Sequence, residues 1–185
     1  MNNRTNSRYQ SGKISYCGLM TALSAALMLA GGIIPIATYA VPMLSGVLLL
    51  PVLLEYGKKT AWTVYAAVSL IVLMLGIDKE AAFFYIFLGY YPVLKWDIEK
   101  IKGKPLKLMV KLLVINVSIV LMYVVLGLVM NMDAVVQEFS QMGAALLIVF
   151  IVVLDMCLLL YDRLMLPLVY LYANRIAPKL RFLRR

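Results

Sequence analysis

Residues 108–130 read LMVKLLVINVSIVLMYVVLGLVM, and this stretch decides the fold class of the chain. It holds one charged side chain, Lys111, and one amide, Asn116, among otherwise apolar or small residues. About 20 apolar residues in a helix are enough to cross the roughly 30 Å hydrocarbon core of a bilayer. The stretch therefore predicts a transmembrane helix.

The rest of the chain repeats this pattern. Hydrophobic residues make up 64% of the sequence and charged residues 15%, whereas soluble domains have about 45–50% and about 25%. We therefore predict an all-α membrane protein, a six-helix transmembrane bundle whose second and fourth spans are short. The predicted spans are residues 14–36, 39–54, 60–77, 81–94, 108–130 and 142–161.

The basic residues are distributed asymmetrically between the loops of this bundle. With the N-terminus inside, 17 of the 18 Lys and Arg residues are cytoplasmic and only Lys79 lies outside. Basic residues concentrate in cytoplasmic loops of membrane proteins. The asymmetry predicts cytoplasmic N- and C-termini. The outer loops hold the acidic residues Asp78, Glu80, Asp133 and Glu138.

Three regions follow from this topology. Residues 1–13 form a basic cytoplasmic N-terminus, residues 14–162 the six-span domain, and residues 163–185 a basic segment. The last segment has leucines on one face and cations at its end, which is typical of a helix lying on the inner leaflet. We expect a multi-pass protein of the plasma membrane, from a bacterium.

Several chemistries are not expected. The chain has no histidine, the commonest proton shuttle and metal ligand, and no paired carboxylates placed for catalysis. We expect no enzyme activity, no metal and no cofactor. The basic tails are short and scattered, which favours contact with the lipid bilayer and orientation in it over nucleic-acid binding.

The first span carries a stripe of small residues. Gly18, Ala22, Ala26 and Ala30 recur every four residues and so share one helix face. Small residues let two helices approach closely in a membrane. The stripe has two interpretations, packing within this bundle and docking of another membrane protein.

An uncharged loop follows, GGIIPIATYAVPMLSG at residues 31–46, in which glycines and prolines interrupt the helix. Apolar irregular backbone at membrane depth has to be covered by protein or line a cavity. We predict a lid over an outward-facing pocket, with an aromatic belt and solvated loop charges as the alternative. The candidate substrate-binding residues are Tyr39, Asp78, Glu80, Phe83 and Phe84.

Two polar residues lie deeper in the predicted spans. Asp155 is costly inside a bilayer and needs a partner in the bundle interior. We expect that partner to be Asn116, or else Lys111 one turn nearer the surface. The pair is interpreted as a clamp between helices or as a coupling element.

LGYYPVLKWDIEK, residues 88–100, lies where the fourth span reaches the basic side. Tyr90, Tyr91 and Trp96 are expected at the level of the lipid headgroups, where aromatic residues form a belt. The charged residues that follow predict an anchor, with a contact to a partner as the alternative.

The segments TALSAALMLAGGIIP and PMLSGVLLLPVLLEYGKKTAW, residues 21–35 and 42–62, resemble the S components, the substrate-binding membrane subunits, of energy-coupling factor (ECF) transporters. The resemblance implies that Ala22 and Ala26 dock a transmembrane coupling protein. It also implies that residues 33–42 close over a vitamin-sized substrate. ATP hydrolysis then comes from partner ATPase subunits, since the chain has no phosphate-binding loop of its own.

The function expected from the sequence is therefore that of an S-component-like subunit. It binds a small organic, vitamin-like substrate for ATP-driven uptake with partner proteins. The alternative is a small membrane interaction or assembly protein without transport activity, in which the stripe and the basic face recruit a partner. An enzyme acting on lipid is a third and weaker interpretation.

Overall fold

The computed structural model describes residues 2–32, 38–76, 78–130 and 144–178. In these ranges the regular structure is entirely helical. The helices are α1 Asn2–Gly31, α2 Ala40–Val47, α3 Leu49–Tyr56, α4 Lys58–Leu75, α5 Lys79–Leu88, α6 Tyr91–Ile98, α7 Lys104–Met130 and α8 Ala144–Leu171, followed by a π-helical turn, Tyr172–Ile176.

Two pairs of short helices follow one another almost without interruption. Leu48, with φ −66° and ψ −11°, joins α2 to α3, and Gly89 and Tyr90 are also in the helical region between α5 and α6. Pro92 lies in the first turn of α6, where its missing N–H leaves no hydrogen bond unmade. The described chain thus forms six helical rods, and the two predicted short spans are each divided.

Among the residues that the structure describes, three helices are long and apolar enough to cross a membrane, namely Tyr9–Gly31, Lys58–Leu75 and Lys104–Gly127. In each, only 22% of the most apolar 18-residue window is buried within the protein. Each of them also exposes large apolar side chains, such as Leu19, Leu70 and Leu113. Such a surface is costly in water and is not costly in lipid, which is consistent with a membrane protein.

The rods pack around a core formed mainly by α3, α4, α5 and α6. α1 lies against α4 and against the α2–α3 rod, and α5 lies between α2 and α7. The most buried side chains of this core are Leu49, Val52, Val68, Tyr85 and Val93. A second cluster joins α5 to α7 through Phe83, Phe84, Leu88, Met122 and Leu126.

Two predicted boundaries fall inside helices. α1 begins at Asn2, so most of the segment predicted as a separate N-terminus, residues 1–13, belongs to the first helix. α8 continues to Leu171 through position 163, so residue 162 is not a helix end. The interfacial position of the C-terminal segment stays a prediction, as residues 179–185 lie outside the described residues.

Charged side chains separate into two ends of the bundle. The lysine end is defined by Lys58, Lys95, Lys100, Lys107 and Lys111, which all form ion pairs with carboxylates near the end of α6 or in α8. The Asp78 end is defined by Thr38, Tyr39, Asp78 and Glu80, which contact one another. The acidic residues predicted beside them, Asp133 and Glu138, lie outside the described residues.

Candidate functional site

The Asp78 end is built around the start of α5. Asp78 is the N-cap residue, with extended backbone angles (φ −92°, ψ 105°). Its Oδ1 accepts a hydrogen bond from the Ala81 N–H at 3.0 Å, which satisfies an otherwise unpaired amide of the first turn. Its Oδ2 accepts from Thr38 Oγ1 at 2.8 Å. The carboxylate therefore ties the segment before α2 to α5.

Tyr39 makes a second connection beside the first. Its hydroxyl donates to Glu80 Oε1 at 2.6 Å, and its ring meets the ring of Phe84 edge-on at a centroid distance of 5.3 Å. The structure thus brings Tyr39, Asp78, Glu80 and Phe84 into one region, as the sequence predicts. Phe83 packs in the same hydrophobic cluster as Phe84.

One cavity that Phe84 of this group lines is small. Phe84, Leu88 and Tyr161 line a cavity of about 10 Å³, enough for about one water molecule. Sites for small organic ligands are typically about 300 Å³ or more. Residues 33–37 of the predicted lid lie outside the described residues, so the substrate-binding role of this group stays a prediction.

The small-residue stripe of α1 faces outward. Gly18, Ala22, Ala26 and Ala30 are all exposed, and a methyl group added at Gly18 would touch nothing within 4 Å. The stripe is therefore not the surface by which α1 packs on the described bundle.

The opposite face of α1 supplies that packing surface. Ser24, Ala25 and Met28 are buried, and Ser45 Oγ of α2 donates to the Ser24 carbonyl at 3.2 Å. Ser24 Oγ donates in turn to the Ser45 carbonyl at 3.5 Å. Two faces of one helix therefore have two different environments, one internal and one open.

The deep polar pair is present between α7 and α8. Asn116 Nδ2 donates to Asp155 Oδ1 at 3.0 Å and also to the Leu112 carbonyl at 3.0 Å. The partner of Asp155 is thus Asn116, the first of the two expected. Lys111, the other expected partner, is engaged by Asp162.

Asp162 is the centre of a buried polar network that was not predicted from the sequence. Its carboxylate lies 2.8 Å from Lys95 Nζ and 2.7 Å from Lys111 Nζ, and it accepts from the Tyr91 hydroxyl at 2.9 Å. Asp162, Lys95 and Lys111 are 7%, 6% and 8% exposed. The network links α6, α7 and α8, and each of its charges has a partner of opposite sign.

Glu99 extends the network toward the surface through Lys111, and Asp97 forms a separate set of ion pairs. Glu99 accepts from Lys111 at 2.7 Å and from Lys107 at 3.0 Å, and these hydrogen bonds hold the pKa of its carboxyl below the ordinary value. Asp97 pairs with Lys58, and with Lys100 at 3.1 Å, and these hydrogen bonds lower its pKa.

The three aromatic residues expected at headgroup level have different surroundings within the protein, and their level in a membrane stays a prediction. Trp96 is 49% exposed, whereas Tyr91 is 3% exposed and its hydroxyl donates to Asp162. Tyr90 stacks on Trp62 at 5.8 Å and hydrogen-bonds Ser118 at 2.9 Å. The sequence does contain one indication of the Asp162 network. Tyr91 and Lys95 are four residues apart and therefore share a helix face.

Comparisons with known protein families, with curated proteins and with solved structures find no match to this chain.

Proposed function

We propose that the chain is an S-component-like membrane subunit, a six-span bundle with both termini in the cytoplasm. It binds a small organic, vitamin-like molecule from outside, and partner proteins, a transmembrane coupling protein and ATPase subunits, drive uptake. The observation that carries this proposal is the exposed stripe of Gly18, Ala22, Ala26 and Ala30.

The stripe supports a partner because of its position and its size. It lies on a helix that is long and apolar enough to cross a membrane, where association depends on close packing and polar contacts, not on burial from water. Leu19 and Leu23 beside it are 62% and 50% exposed. These two leucines flank the stripe on one side with bulky apolar side chains, and the combination suits close packing of a second apolar helix.

The two ends of the bundle support the direction of uptake. The positive-inside rule places the lysine end in the cytoplasm, so the Asp78 end faces outside. A substrate then enters where Tyr39 and Thr38 hold the segment before α2 against α5. Opening this end requires that the two hydrogen bonds break and that the Tyr39 ring leaves Phe84, and water can replace both hydrogen bonds because the groups are not deeply buried.

Purification from native membranes in mild detergent, followed by mass spectrometry, tests the proposal. We expect the wild-type chain to retain ATPase subunits and a small organic molecule. The double variant Ala22→Leu/Ala26→Leu places bulky side chains on the stripe and should lose the ATPase subunits while keeping the small molecule and its unfolding temperature.

Ala66→Leu is the matched control, because Ala66 is an exposed alanine on the outer face of α4. It should behave as the wild type. A wild-type preparation that contains neither an ATPase nor a small molecule would refute the proposal.

A second candidate function is that of an interaction or assembly protein without transport. It is favoured by the mutual pairing of the polar groups at the Asp78 end and by the cavity of about 10 Å³ beside Phe84. This candidate predicts that the stripe variant loses a membrane protein that is not an ATPase-linked subunit, and that no small molecule co-purifies with the wild type.

A further inference from the structure

An open groove of about 440 Å³ lies at the lysine end, between α3, α6 and α8. One part of it is apolar and includes Leu50, Leu166 and Val169. The other part is polar and includes Lys100 and Glu99. The groove is therefore amphipathic along its length, unlike the small apolar cavity beside Phe84.

Its exposed residues are those of a membrane interface. Trp96 lines the groove and is 49% exposed, and Leu166 is 54% exposed. Tryptophan prefers the level of the headgroups, where one part of the ring is apolar and another is polar. An occupant with both an apolar chain and a polar head matches both parts of the groove, whereas a soluble anion leaves the apolar wall uncovered.

The charges around the groove indicate which charge the polar head of the occupant should carry. The five lysines that define the lysine end share three carboxylates, Asp97, Glu99 and Asp162. Lys100 is the most accessible of these cations, with a side chain 66% exposed and one exposed partner. Exposed pairs of this kind are weak, so Lys100 can turn toward a ligand.

The end therefore carries more positive than negative charge. This excess favours an anionic head over a zwitterionic one. It also disfavours the C-terminal residues of the same chain as the occupant, because residues 179–185 contain one lysine and three arginines and no acidic residue.

We propose that this groove binds an anionic phospholipid, with its phosphate beside Lys100 and an acyl chain along Leu50, Leu166 and Val169. The proposal is independent of transport, because it uses neither the stripe of α1 nor the Asp78 end. Basic pockets between helices at the cytoplasmic surface are known to bind anionic headgroups.

Trp96 provides a direct probe, because the only other tryptophan of the chain is Trp62. In a Trp62→Phe background, nanodiscs with brominated phosphatidylglycerol should quench Trp96 fluorescence more strongly than nanodiscs with brominated phosphatidylcholine at equal mole fraction. Lys100→Gln should reduce this preference at least threefold. Lys59→Gln removes an exposed lysine that does not line the groove, and should leave the preference unchanged.

Native mass spectrometry of the chain with both tryptophans repeats the comparison by counting bound lipids. We expect phosphatidylglycerol to remain bound at collision energies that remove phosphatidylcholine. Equal retention of the two lipids, or equal loss of preference in Lys100→Gln and Lys59→Gln, overturns the proposal. If glycerol phosphate competes as effectively as the lipid, the groove binds an anion and not a lipid, and the proposal is overturned. A second copy of the chain or another protein bound in the groove in place of lipid overturns it as well.

Discussion

The two ends of the bundle are held by the same kinds of group in different surroundings. At the lysine end, Asp162, Lys95 and Lys111 are buried and bridge three helices. At the Asp78 end, the contacts of Tyr39 and Asp78 join one loop to the start of one helix and are partly open. Separating buried charges leaves them without partners, whereas water can replace open hydrogen bonds.

This difference is what the proposed function requires. A subunit that captures a molecule from outside has to open at one end while the other keeps its helices in register for a partner. We therefore expect the Asp78 end to open at a lower free energy than the lysine end.

The largest effect is expected at the centre of the lysine end. Asp162→Asn removes the charge between two buried lysines and should lower the free energy of unfolding by about 3–5 kcal/mol. Unfolding in mild detergent, followed by circular dichroism, measures the change. Asp97→Asn is the control, because Asp97 pairs with exposed lysines, and its effect should be much smaller. Similar effects of the two substitutions would show that burial does not strengthen the network.

A smaller effect is expected for the pair of Asn116 and Asp155, which lies between the two ends of the bundle. Asn116→Ala leaves the Asp155 carboxylate without the amide that donates to it, and should cost about 1.5–3 kcal/mol. The same unfolding measurement applies. The double variant Asn116→Ala/Asp155→Leu removes both groups and should recover part of the lost stability. A double variant no more stable than the single one would contradict a clamp.

At the Asp78 end the effect should be smaller again. Tyr39→Phe removes the hydrogen bond to Glu80, and because Tyr39 is 43% exposed the loss should be about 0.5–1 kcal/mol. Tyr170→Phe, at a position 68% exposed on α8, is the matched control and should change nothing. A loss as large as that of Asp162→Asn would remove the distinction between the ends.

The smallest effect is a pH dependence at the edge of the lysine end. Hydrogen bonds from Lys111 and Lys107 hold the pKa of Glu99 below its ordinary value of 4.5. The stabilisation is therefore complete above about pH 4.5 and is lost as the pH falls through the pKa of the folded state. It should be below about 1 kcal/mol, because the side chain is 41% exposed and screened by solvent. When the free energy of unfolding is measured against pH in the acid range, Glu99→Gln should lack this component. A pH dependence identical to that of the wild type would contradict its assignment to Glu99.

The helical class of the chain could be predicted because it depends on local composition. The apolar run at 108–130 coincides with most of α7, and the number of helical rods follows from counting such runs. The pair of Asn116 and Asp155 could also be predicted, since each is costly in an apolar helix and few partners lie at the same depth.

The network at Asp162 could not be predicted in the same way. The pairing of Lys95 with Asp162 depends on how α6 packs beside α8, and positions 67 residues apart give no local signal of it. The direction of the α1 stripe is a second example. Small residues suit an internal contact and an external one equally well, so only the packing of Ser24 and Met28 shows which face is internal.

Hydrogen exchange of the protein in nanodiscs tests the difference between the ends most directly. We compare protection factors, corrected for intrinsic rates, for amides at residues 43–44 and 81–84 with those at residues 95–98 and 158–164. We predict protection at least tenfold lower in the first pair of segments, and that Asp162→Asn removes most of the difference. Equal protection at both ends in the wild type, or lower protection at the lysine end, would contradict a bundle that opens at the Asp78 end.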